Sequence, residues 1–157
     1  MISWMAGPLV MLLAVTPVEL ERISSAEVCG RCHRDILQAW KASIHATALE
    51  DLLFQDAMER AVEDFGPKVR AGCLGCHAPT VQYSGDVRLL NKVSWEGVTC
   101  DFCHSLKSVT LTSGTPRLMV EFDGVKTGPL KDAASQAHGV AFSAVHTSSL
   151  VCAGCHE

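Results

Sequence analysis

The chain has 157 residues, a formal net charge of −4, 48% hydrophobic residues and only 6% aromatic ones. That length suits one domain. The 13 Lys and Arg are dispersed and form no basic run, so nucleic acid is excluded as a partner.

In chain order, the first feature is an uncharged apolar segment, Ile2 to Val18, densest from Leu9 to Val15. An export signal is the first reading, although no Lys or Arg precedes the apolar stretch and the cleavage site is poor. A retained membrane anchor is the second. As a helix, the stretch would reach about 26 Å, just short of a bilayer core of about 30 Å, and Pro8 and Pro17 count against a regular span. A packed segment is the third. The chain thus divides into residues 1–18, an export signal or anchor, and 19–157, one domain.

Ser24-x-x-Glu27 reads as a capping box for a short helix. That helix leads into Cys29-x-x-Cys32-His33, and the same pentapeptide pattern recurs at Cys73-x-x-Cys76-His77, Cys100-x-x-Cys103-His104 and Cys152-x-x-Cys155-His156. All eight cysteines lie in these copies. On a helical turn residues i and i+3 share a face, so two thiols can meet two vinyl groups on one porphyrin edge. The His that follows can then take one axial site on the iron, as at a c-type haem attachment site. A zinc site does not require His after every Cys pair. No strand–helix–strand pattern suggests a thioredoxin-like pair. Four covalently bound haem c groups follow, with their irons on His33, His77, His104 and His156.

Four macrocycles in so short a chain must themselves form the core. The fold class predicted is mainly α with little regular secondary structure, a multihaem cytochrome c fold with a small β-hairpin. Eight propionates would add up to about −8 of charge. The partners this suggests are a redox protein donor and a redox protein acceptor. Haem attachment outside the cytoplasm places the protein on the periplasmic or extracellular side of the membrane, with membrane association through residues 1–18 if these are retained.

From Asp35 the apolar stripe Ile36, Trp40, Ile44, Ala48 and Leu52 predicts a helix, or two in series, running to Phe65 and stopping at Gly66-Pro67. His45 lies on it and is a candidate distal ligand for a haem other than the first. Residues 81–97 read as loop, with Trp95 packed on a porphyrin face or in an ordinary core. Val109–Leu111 and Leu118–Phe122 read as a hairpin around Ser113-Gly114-Thr115-Pro116. Ser135 reads as the cap of a helix to about Val145 carrying His138 and His146. Such a helix would offer distal ligands to two neighbouring haems.

Seven histidines serve four irons, so this chain can complete at most three bis-His haems. The fourth has an open site, a Met ligand or a ligand from another chain; Met58 and Met119 read as packing residues. A bis-His haem passes electrons only, whereas an open one can bind a small molecule.

The segment Cys29 to Ala48, with its Trp40-x-x-Ser43-x-His45 element, resembles the first haem segment of the cytochrome c-554 family. The stretches around Cys100 and from Gly128 to Glu157 resemble that wider group of multihaem cytochromes. The resemblance implies a largely helical periplasmic tetrahaem electron carrier with stacked and perpendicular haem pairs. It also implies that His45 serves the third haem, opposite His104, and that the second haem, on His77, is the open one. His138 would serve the first haem and His146 the second or fourth; if His146 serves the second, the fourth is the open haem. The leading reading is an exported tetrahaem electron relay rather than an enzyme. The alternatives are an enzyme acting on nitric oxide, nitrite or hydroxylamine at an open haem, a membrane-anchored quinol dehydrogenase, and a haem-filament subunit with inter-subunit ligation.

Overall fold

The computed structural model describes residues 17–112 and 115–156. Residues 1–16, which carry nearly all of the expected leader, lie outside the described residues. Among the described residues no helix is long and apolar enough to cross a membrane.

Short helices dominate the first two thirds. Helix α1 (Ala26–Gly30) starts at Ser25, whose side chain accepts from the Glu27 N–H at 3.2 Å. The expected capping box is therefore displaced by one residue. Glu27 pairs with Lys41 instead, at 2.6 Å. Its place is taken from far along the chain by Glu96, whose carboxylate accepts from the Ala26 N–H at 2.8 Å and from the Ser25 hydroxyl. A carboxylate at a helix start meets both orphan N–H groups and the positive end of the dipole.

Helix α2 (Arg34–Lys41) follows directly and buries Leu37. Leu37 lies over Gly30, where a Cβ would come within 2.1 Å of its Cδ2, so only glycine lets the two helices meet. Of the two expected forms, the structure shows two helices in series, with a break between them. Residues 42–50 form successive turns, and helix α3 (Leu52–Phe65) restarts at Asp51, whose side chain accepts from the Phe54 N–H at 2.9 Å. The break has a local cause: the Ser43 hydroxyl donates to the Trp40 carbonyl at 2.7 Å and competes with the helix ladder. Helix α3 ends at Gly66, φ +83°, ahead of Pro67.

Helix α4 (Val69–His77) carries the second motif, and α5 (Val81–Ser84) follows it. The stretch expected as loop is loop apart from α5 and one 3-10 turn, Lys92–Trp95. Helix α6 (Cys100–His104) is the third motif itself. Strands β1 (Leu106–Thr112) and β2 (Thr115–Val120) form the expected antiparallel hairpin, with Val109 opposite Leu118 and a bulge between Leu106 and Ser108.

The region around His138 departs from expectation. There is no helix from Ser135 to Val145. Strand β4 (Gly139–Phe142) instead pairs in parallel with β3 (Val125–Gly128). A parallel pair needs a crossover, and residues 129–138 supply it as coil. The physical reason is composition: Gly139 weakens the expected helix, and the β-branched Val140 favours an extended chain once β3 offers a partner.

Two small apolar clusters are buried. Leu49, Met58, Leu74, Ala78, Val81 and Leu89 gather between α3, α4 and α5; Leu106, Val109 and Val145 gather under the hairpin. Large apolar side chains remain uncovered elsewhere, including Ile44 (85% exposed), Leu53 (81%) and Leu90 (72%). The protein is mostly helical with little regular structure, and polypeptide alone does not supply an ordinary core.

Candidate haem-binding site

Each Cys-x-x-Cys-His pattern sits on one turn. In α4 and α6 the cysteines and the following His lie on the helix. In the first copy, Cys29 is in α1 and His33 leaves the helical region (φ −94°, ψ 58°) before α2 begins. The fourth copy follows a 3-10 turn, Ser149–Val151.

The thiols of different copies meet. Cys29 and Cys100 hydrogen-bond to each other. That bond, against burial, lowers Cys29 to about 7, while the same bond and burial raise Cys100. Burial first, then a hydrogen bond with Cys76, pushes Cys155 up to about 12. Cys103, raised chiefly by burial, also feels the charge of Cys152. The first motif thus abuts the third, the second abuts the fourth, and the third and fourth are neighbours.

Six of the seven histidines stand in pairs. His33 faces His138 with ring centres 6.4 Å apart, His45 faces His156 at 6.1 Å, and His104 faces His146 at 6.0 Å with planes within 7° of parallel. An imidazole nitrogen binds a transition metal at about 2.0–2.1 Å, so two imidazoles on opposite sides of one metal have ring centres roughly 6 Å apart. All three separations match that span. His45 lies beside His156 rather than beside His104, where the resemblance put it. His146 takes the place at His104 and lies near neither the second motif's His nor the fourth's.

The reason for the change is a backbone contact absent from any local pattern. The Trp40 indole donates to the Val98 carbonyl at 2.9 Å, and the Val98 N–H donates to the His45 carbonyl at 2.9 Å. Gly97, φ +63°, lets the strands close: a Cβ there would lie 2.3 Å from the His45 carbonyl oxygen. His45 is thereby held by the segment entering α6 while its ring faces the fourth motif.

Hydrogen bonds assign the remaining ring nitrogens, because a carbonyl can only accept. His104 Nδ1–H donates to the Thr127 carbonyl at 2.7 Å, His77 Nδ1–H to that of Ala48 at 3.1 Å and His138 Nδ1–H to that of Gly139 at 2.9 Å. Each leaves Nε2 as a lone pair, the usual orientation of a metal-bound His. His146 is reversed. Its Nε2–H donates to the Cys103 carbonyl at 3.0 Å, and its Nδ1 is buried without a partner. A buried unpaired nitrogen is costly unless something unseen binds it. These residues fit haem iron.

His77 has no imidazole facing it among the described residues. Phe54 stacks on its ring at 3.8 Å, planes 13° apart, and with the Ala48 carbonyl fixes its rotation. Met58 is buried in the apolar cluster and Met119 is half exposed on β2. Trp95 is half exposed and donates to the Leu89 carbonyl at 2.8 Å. Beyond the seven histidines, sequence reasoning missed Gly97 and Phe54. The positive-φ glycine before Cys100 was legible in principle, but what it touches was not.

The sequence model of the family described as cytochrome c554 and c-prime matches residues 28–105. The chain belongs to a multihaem c-type cytochrome family. The matched span of this cytochrome holds the first three motifs, so covalently bound haem c follows from the family. The fold is similar to that of a penta-heme cytochrome c552 from Thermochromatium tepidum, with a TM-score of 0.65 at 22% identity. That likeness covers 86% of this chain and 46% of the other, so this cytochrome spans less than half the length of that structure. A search of curated proteins found no match.

Proposed function

We propose that this cytochrome is an exported tetrahaem electron carrier whose haems lie in the order first, third, fourth, second. The observation that carries the reading is the set of three His pairs spaced to bracket one iron each, added to four covalent attachment motifs. His33 and His138 would hold the first iron, His104 and His146 the third, His156 and His45 the fourth. His146 would bind through Nδ1. Haem iron supplies reversible one-electron exchange when bound. The chain's own part is to fix the axial rings and to set neighbouring attachment motifs side by side. The closeness of Cys29 to Cys100 and of Cys76 to Cys155, with the charge influence of Cys152 on Cys103, supports the order.

Intact mass of the mature protein together with a coulometric titration tests this. Four haem masses and four electrons per chain are expected. Fewer of either would overturn the tetrahaem reading.

A second reading is favoured by one observation: Phe54, not an imidazole, is the aromatic neighbour of His77. His77 would then hold an iron with a free sixth position, able to bind nitric oxide, nitrite or hydroxylamine. Turnover of any of these, abolished by a variant that blocks only that haem, would make the protein an enzyme as well as a carrier. Binding without turnover would leave it a carrier.

A further inference from the structure

The three distal histidines are held very differently. His45 is pinned through its backbone by Val98, with Gly97 closed against it and Trp40 locking the other side. His146 follows buried Val145, its backbone N–H donates to the carbonyl of buried Ser143 at 3.1 Å, and its ring is tied to Cys103. His138 has neither support. Residues 129–137 are all exposed. Among the described residues, no backbone hydrogen bond joins 130–138 to another element. The bonds present are local: Ala137 N–H to the Ser135 hydroxyl at 3.1 Å, and the His138 ring to its neighbour Gly139. Lys131 rests over the Phe142 ring at 5.4 Å, an exposed contact. Both ends of the crossover are fixed, since Gly128 and Gly139 belong to the paired strands β3 and β4. The segment between can therefore lift without disturbing the sheet. Local opening is cheapest where backbone is exposed and few apolar contacts are lost.

We propose that the first haem is a gated second site for small neutral iron ligands, carbon monoxide or nitric oxide in kind, which bind when His138 swings away with its crossover. The bond from the His138 imidazole to iron breaks, the bond from the incoming ligand forms, and the iron keeps its oxidation state. The inference rests on the reading that His33 and His138 share an iron. With an open population of roughly 1–10%, wild type binds the ligand at this haem about 10- to 100-fold more weakly than a chain lacking His138.

The test mixes fully reduced holoprotein with carbon monoxide and follows the haem absorbance. Two haem equivalents are expected to bind per chain. One binds at a rate proportional to carbon monoxide. The other binds at a rate that levels off at high concentration, the limit being departure of His138. In His138→Ala the second rate should lose its ceiling and affinity should rise by the stated factor. Ala134→Pro, which stiffens the crossover without touching the ligand, should lower the ceiling rate. Absence in wild type of an equivalent whose rate levels off, or a ceiling unchanged in His138→Ala, overturns the proposal. The parent reading fails separately: it falls if oxidised His138→Ala shows no new high-spin haem by EPR. If that haem does appear but wild type shows no equivalent whose rate levels off, the gating alone is wrong.

Discussion

Gly97 shows how one residue without a side chain can set where a histidine sits. Its φ of +63° and the 2.3 Å between its missing Cβ and the His45 carbonyl forbid any larger residue. Gly97→Ala should cost about 1–2 kcal/mol from the left-handed backbone alone and, on the proposed ligation, push His45 off the fourth iron. EPR of the oxidised variant should then show one low-spin haem fewer and one high-spin haem more. An unchanged low-spin count would detach Gly97 from ligation. At Asp86, burial raises the carboxyl, but the Leu90 and Asn91 N–H groups, the Asn91 amide and the Ser94 hydroxyl outweigh it and the net shift is downward. A lowered folded value means its stabilisation is present above the ordinary carboxylate value of about 3.9 and is lost as pH falls through the folded one. Thermal unfolding of wild type and Asp86→Asn should therefore differ near neutrality and converge in acid. A gap that stays constant down to strong acid would remove Asp86 from the account.

Between elements, the first and third motifs are tied by two carboxylates. Glu96 caps α1 from the segment before α6. Asp101, 1% exposed inside the third motif, accepts from the Ser24 N–H and from the Ser105 hydroxyl, and pairs with Lys126 of β3. Breaking a buried pair from one side leaves a charge uncompensated. Asp101→Leu should cost about 3–5 kcal/mol, read as a lowered denaturant midpoint, whereas breaking the exposed Arg60–Asp56 pair should be nearly silent. Equal losses at both sites would contradict the assignment. At this scale the sequence was partly legible. The four attachment turns and the hairpin are local patterns, so periodicity and spacing found them. The helix read from Ser135 to Val145 was wrong because β3 captures Gly139–Phe142 as a strand, and nothing local records that partner. The His pairings were hidden for the same reason: contacts such as Val98 with His45, or Cys103 with His146, join residues far apart in the chain.

For the whole molecule, the two buried apolar clusters are too small to hold the chain alone, and large apolar residues such as Ile44, Leu53 and Leu90 are uncovered. Below a certain buried apolar content a chain needs cofactors or cross-links to fold. Protein made without haem attachment should show no cooperative thermal transition by circular dichroism, while holoprotein should show one. A sharp transition in the haem-free chain would mean the polypeptide suffices. The central claim is that three irons are bracketed by His pairs and the iron on His77 is not. Low-temperature EPR of the fully oxidised holoprotein, with integrated spin counts and added cyanide, tests it most directly. The account predicts three low-spin haems and one high-spin haem whose signal cyanide abolishes. Four low-spin haems with no cyanide response would contradict it and would mean that a ligand from another chain, or a displaced side chain of this one, completes the second haem.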